Sequence, residues 1–155
     1  MKVSNHVSYK EVTYSQTAIR NDIKNDPNRS QMDRIILLAN NLFEPLREWV
    51  GGPIKINSCF RSEELNTRIG GAKSSQHMAN NGAAMDLDDT YGHKTNAQMF
   101  HYIKDNLDFD QLIWEFGTDD NPNWIHVSYK EEGNRKNVLK ACKINGRTKY
   151  LNWED

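Results

Sequence analysis

The sequence predicts an α+β fold, with helices gathered toward the N-terminus and an antiparallel sheet as the core. Three observations predict it. Apolar residues from Ile35 to Trp49 recur at helical spacing. Later segments alternate apolar and polar residues as strands do. The loops joining those later segments are short and dense in turn formers. A length of 155 residues suits one domain spanning 1–155.

Taken in order, residues 1–14 read as extended or irregular. Ser15 is placed to cap a short helix reaching about Asn25, and "NDPNRS" (25–30) reads as a loop. Ser30 then caps a longer helix, with Asp33 near its N-terminus. Ile35, Leu38, Ala39, Leu42, Phe43, Leu46 and Trp49 form its core face. Pro45 demands a kink or a restart near Glu44, and Gly51-Gly52-Pro53 ends the segment. "IKINS" (54–58) reads as a strand, and "RSEELNTRI" (61–69) as a short helix stopped by Gly70-Gly71. "GAAMDLD" (82–88) reads as a strand. A helix follows from Thr95 or Asn96 to about Asn106, with Met99, Phe100, Ile103 and Leu107 inward. "DQLIWEF" (110–116) and "WIHVSY" (124–129) read as two strands around the turn-rich "GTDDNPN" (117–123). "NVLKACKI" and "TKYLNW" form a hairpin across Asn145-Gly146.

Composition narrows the function classes. The chain is polar, with 37% hydrophobic residues and a mean hydropathy of −0.84, yet four Trp, six Tyr and five Phe supply the bulk of one core. A net charge of −1 gives no basic field to draw nucleic acid, so no nucleic-acid partner is expected. No apolar run approaches the roughly 20 residues that span a bilayer, so no membrane insertion is expected. "MKVSNHVSYKEVTYSQ" has no apolar signal core, which predicts a chain that is cytoplasmic as synthesised. Cys59 and Cys142 are read as two free buried thiols. There is no internal repeat.

Strand parity locates the chemistry, because alternate residues share a face. Ala83, Met85 and Leu87 lie toward the core, with Ala84, Asp86 and Asp88 opposite. Leu112, Trp114 and Phe116 form an apolar side, with Ile113 and Glu115 opposite. Ile125 and Val127 point inward, while Trp124, His126 and Ser128 share the other face. Asp86, Glu115 and His126 therefore project from non-core faces, and His77 arrives from the loop before the first of them. Two readings compete on these residues alone. One is a zinc site of two histidines and a carboxylate, its fourth position open to water, with Glu115 as the base. The other is a set of solvated polar residues, since the nine-residue interval from His77 to Asp86 is no standard short metal motif. His6, His93 and His101 have no comparable context and are read as structural or surface residues.

The motifs then invite a comparison. Ser75-Gln76-His77, Gly82-Ala83-Ala84-Met85-Asp86, Glu115 in "FDQLIWEFG" and Trp124-Ile125-His126 resemble, in order, the Ser-x-His, Gly-x-Ala-x-Asp, strand Glu and terminal His of the zinc D-Ala-D-Ala carboxypeptidase family. That family includes phage endolysins and shares its fold with the hedgehog signalling domain. "INSCFRSEELNTRIGGAKSSQH" (56–77), "TAIRNDIKNDP" and "LFEPLREWVGGPI" resemble its other segments, and the resemblance spans roughly residues 8–150. One departure is the loop Met78–Asn81, two residues longer than usual. It leaves Asp88 as the alternative to Asp86, which keeps the Gly-x-Ala-x-Asp spacing.

The resemblance implies Zn²⁺ held by His77, Asp86 and His126, with Glu115 as general base and then acid. It implies that Arg61 pairs with a substrate carboxylate or polarises the scissile carbonyl, a task suited to its planar fork. Ser75 would contact substrate, with Gln76 a weaker candidate. Trp124, where some relatives carry a second His, would wall the cleft. The implied activity is hydrolysis of peptidoglycan stem peptides or cross-links by a monomer, as carboxypeptidase or endopeptidase. A phage lysis enzyme released by a holin fits the absence of an export signal. The competing expectations are a non-catalytic, zinc-stabilised wall-binding or virion structural domain, and a metal-free scaffold. Glu115 argues against the pure binder, which needs no base.

Overall fold

The computed structural model describes residues 1–155. Its N-terminus is extended over two short strands, and the departure from the expectation is a helical turn that follows them. β1 (Lys2–Ser4) and β2 (Val7–Ser8) make a small antiparallel ribbon. Ser8 caps α1 (Tyr9–Thr13) through a reciprocal box with Glu11. These elements are too short to show a period, but Val3, Val7 and Val12 anchor them in the core. α2 (Gln16–Arg20) begins at the expected cap, Ser15, and is shorter than expected. α3 (Arg29–Leu38) is capped by Asn28 instead of Ser30, because Asn28 and Gln31 satisfy each other's backbone N–H groups.

Pro45 does not break the helical run. The chain widens into a π-helical turn over Ala39–Phe43 and continues as α4 (Glu44–Val50). The Glu44 N–H reaches back to the Ala39 carbonyl, one residue further than in an α-helix. The widened turn accommodates the hydrogen bond that Pro45 cannot donate.

The remaining elements fall close to their expected bounds: β3 (Lys55–Ser58), α5 (Glu63–Arg68), β4 (Ala83–Asp88), α6 (Asn96–Asn106), β5 (Gln111–Glu115), β6 (Trp124–Tyr129), β7 (Asn137–Ile144) and β8 (Arg147–Asn152). They build a six-stranded sheet in the order β3-β4-β6-β5-β7-β8. Every pairing is antiparallel except β5 with β7, which is parallel and departs from the all-antiparallel expectation. The cause is local. β6 runs back to the start of β5, and the chain from 130 to 136 rounds that end instead of reversing. The N–H groups of Lys136 and Asn137 then bond the carbonyls of Phe109 and Asp110, so β7 starts level with β5 and runs with it.

One face of the sheet carries Met85, Leu87, Leu112, Trp114, Ile125 and Val127, as parity predicts. These join Ile35, Leu38, Leu42 and Leu46, and Met99, Phe100 and Ile103 of α6, in a core of 26 buried residues. Phe116 departs from the pattern. It lies past the end of β5 at φ 57°, and its ring turns away from the core to meet Trp124 at 5.6 Å. Cys59 is buried and Cys142 only half-buried, both free, so the second thiol is less enclosed than expected. Cys142 sits on the β7–β8 hairpin, at the thinly covered margin of the sheet. No helix is long and apolar enough to cross a membrane.

Gly82 leads the chain into β4 at φ 77°, where a Cβ would lie 2.6 Å from the Tyr129 carbonyl oxygen. Gly82→Ala is expected to lower stability by about 2–4 kcal/mol, combining left-handed strain with a backbone clash. A urea titration of the variant beside the parent measures it.

Candidate metal centre

Two adjacent rows of paired residues build the open face of the sheet. Leu139, Ile113, His126 and Asp86 form one row across β7, β5, β6 and β4. Tyr150, Ala141, Glu115 and Trp124 form the next, across β8, β7, β5 and β6. Residues paired in register point to the same face. Glu115 is thus set diagonally beside His126, one row from Asp86. His77 enters from a 3₁₀ turn, Gln76–Met78, which Ser75 caps by accepting the His77 N–H.

His77, Asp86 and His126 each offer one ligand atom, all within 4.8 Å of one another. His77 Nδ1 lies 2.7 Å from the Cys59 carbonyl oxygen. A carbonyl only accepts, so Nδ1 carries the proton and Nε2 keeps its lone pair for a cation. His77 Nε2 is 3.3 Å from Asp86 Oδ1, and His126 Nδ1 is 3.1 Å from the same oxygen. Zinc bonds of about 2.0–2.1 Å at the tetrahedral angle separate neighbouring ligand atoms by roughly 3.3 Å. The donor set and its spacing therefore fit a zinc-sized ion. Burial alone would raise the Asp86 carboxyl, but His77 and His126 outweigh it and hold its pKa well below the usual carboxylate range.

Asp88 does not join this group. Its Oδ1 accepts from Asn96 Nδ2 at 2.8 Å, at the far end of β4. His6 bonds Glu44, His93 lies over Gly52 and His101 packs edge-on to Phe100, all away from the centre as expected.

The three ligand groups lie in a cleft of about 860 Å³. Arg61, Ser75, Glu115 and Trp124 line it, so every candidate residue of the sequence reading is brought to one place. Arg61 approaches Asp86 at 3.8 Å and is largely buried. Glu115 is 7% exposed. Burial pushes its pKa up to about 7; His126 opposes the rise and the Asp86 charge adds to it.

The sequence profile of the family described as Peptidase M15 matches residues 5–128, most of the chain. The chain belongs to the Peptidase M15 family. A comparison with curated proteins found no match. Peptidase M15 is a family of zinc D-Ala-D-Ala carboxypeptidases and related peptidases, so membership makes this chain a metallopeptidase by family and implies a peptide substrate. The His77, Asp86 and His126 group fits that chemistry.

The M15 centre rests on support that the sequence reading missed. Asp110 is fully buried and accepts from Arg135 N, Nε and Nη2 at 3.0, 3.0 and 2.8 Å and from Gln76 Nε2 at 2.9 Å. This ties the turn bearing His77 to the loop before β7. Gln76 thus serves the scaffold, bonding Asp110 and the Asn81 carbonyl from the cleft lining. Asn25 bonds the carbonyls of Thr13 and Phe60 and accepts the Ser62 N–H, which fixes both sides of Arg61. A buried Asp at the head of a strand was the one available signal for Asp110; its partner 25 residues away has none.

Proposed function

We propose that this M15 peptidase is a zinc enzyme hydrolysing peptide bonds in bacterial peptidoglycan, in stem peptides or their cross-links, as carboxypeptidase or endopeptidase. The observation that carries the reading is Glu115, a buried, unpaired carboxylate beside three ligand side chains at zinc spacing. A purely structural metal site needs no such group.

In this reading His77, Asp86 and His126 hold Zn²⁺, which when bound supplies Lewis acidity that lowers the pKa of a water to about 7. Glu115 accepts a proton from the attacking water and passes it to the leaving nitrogen. The Cys59 carbonyl keeps His77 in its ligating tautomer. Arg61, held by the Asn25 network, orients a carboxylate or the scissile carbonyl of the substrate. Trp124 and Phe116 form one wall, and Ser75, which lines the cleft, contacts the substrate peptide. The chain works as a monomer, in the role of a phage lysis enzyme.

The test is digestion of purified peptidoglycan by the zinc-loaded protein, with fragments identified by mass spectrometry. New peptide termini are expected, and their positions name the bond. Dialysis against a chelator should abolish their release and stoichiometric zinc should restore it. Peptidoglycan that yields no new peptide terminus and no released amino acid after exposure to fully loaded protein would overturn the proposal.

A further inference from the structure

The second wall of the cleft comes from β8, which lies beyond residues 5–128 that match the family. Its Tyr150 stands in the row of the proposed base: Glu115 pairs with Ala141, and Ala141 with Tyr150. Two strand spacings separate Glu115 from Tyr150, about 10 Å between backbones, and both side chains leave the same face. The only side chain that the intervening strand raises in this row is the methyl of Ala141, itself 1% exposed. The tyrosine ring can therefore lean toward Glu115 across a gap that any larger residue would fill. Tyr150 lines the same cleft as Glu115, Asp86 and His126.

The hydroxyl is also free. Tyr9 and Tyr14 donate theirs to Asp26 and Gln16, whereas that of Tyr150 has no protein partner. Burial first, and then the charges of Glu115 and Asp86, raise its pKa, so the phenol keeps its proton and remains a donor.

We propose that Tyr150 is a catalytic residue whose O–H donates a hydrogen bond to the scissile carbonyl oxygen as that oxygen takes on negative charge. The inference rests on the hydrolytic reading above. Water oxygen bonds to the carbonyl carbon, and the C=O π pair moves onto the oxygen that Tyr150 contacts. The proton lost by the water goes to Glu115. On collapse the C–N bond breaks, its pair stays on nitrogen, and the Glu115 proton follows it. Tyr150 retains its own proton throughout. A donor aimed at developing charge is worth more in the transition state than in the ground state.

The experiment compares zinc-loaded wild type, Tyr150→Phe, Tyr150→Ala and Glu115→Gln on one soluble synthetic peptide that carries, uncut, the bond identified by the wild-type digest. Tyr150 is 55% exposed, so losing the hydroxyl should leave the fold and zinc content intact. Expected for Tyr150→Phe is a kcat fall of about 10–100-fold with little change in KM, below the largest losses known for a fully enclosed donor. Tyr150→Ala should fall as far, marking the hydroxyl and not the ring as the active part. Wild-type kcat in Tyr150→Phe beside an inactive Glu115→Gln overturns the role of Tyr150 alone. A raised KM with unchanged kcat also overturns it, reducing Tyr150 to a binding residue. An active Glu115→Gln brings down the hydrolytic reading, and the inference with it.

Discussion

Glu115→Gln is expected to lower kcat by about 10²–10⁴-fold while leaving the fold and zinc content unchanged. The side chain makes no hydrogen bond, and Gln occupies the same volume without the charge. Stability should move the opposite way from activity. The folded-state pKa of Glu115 is raised to about 7 in the metal-free chain, above its unfolded value. Its favourable contribution is therefore present below the unfolded pKa and lost as pH rises through the folded one. At pH 8 the metal-free wild type carries a penalty of up to about 3 kcal/mol that the Gln variant avoids. Below about pH 4 the two should coincide. Denaturant midpoints of both metal-free proteins across pH 4–8 check the sign, and equal midpoints at every pH would contradict it. A bound dication favours the ionised carboxylate, so the acid limb of activity should lie below pH 7.

Asp110→Ala should produce the largest loss of stability among single polar changes. Four donor contacts converge on a fully buried carboxylate. Removing it leaves Gln76 Nε2 with the Asn81 carbonyl as its remaining acceptor and frees Arg135, whose guanidinium is half-exposed and can regain water. That exposure keeps the cost below that of a fully enclosed ion pair, at about 2–4 kcal/mol, or roughly 5–12 °C in Tm. Burial would raise the Asp110 pKa, but the hydrogen bonds from Arg135 and Gln76 outweigh it and the pKa ends lowered. Its contribution is thus present above the unfolded value and lost as pH falls through the folded one. The gap between variant and wild type should shrink below about pH 4. Because Gln76 adjoins His77, the variant should also bind zinc more weakly, which competition with a chromogenic chelator measures. A Tm within a degree of wild type at pH 7 would contradict the assignment.

Much of this was legible in the sequence. Period-2 alternation put Asp86, Glu115 and His126 on one face, and the structure joins them in adjacent rows of one sheet. Helical spacing identified Leu38, Leu42 and Leu46 as core. What stayed hidden depends on contacts remote in sequence. The direction of β7 is set by where a short loop rounds β5, which no local pattern encodes. Phe116 satisfies the alternation and still leaves the core, because a left-handed residue resets the phase after Glu115. The cap of α3 was misplaced because both Asn28 and Ser30 suit an N-cap, and only Asn28 has a Gln at the reciprocal position. The candidate ligands announced themselves through residue type. Their supports, Asn25, Asp110 and the Cys59 carbonyl, act through backbone groups and distant partners that composition does not display.

The strand order has a consequence for biosynthesis. β8 sits at the edge of the sheet and leaves the ribosome after His77, Asp86 and His126 have emerged. Under the zinc reading, the nascent polypeptide can capture an ion while one bank of the cleft is still missing, and the cleft is complete only once the β7–β8 hairpin zips onto β5.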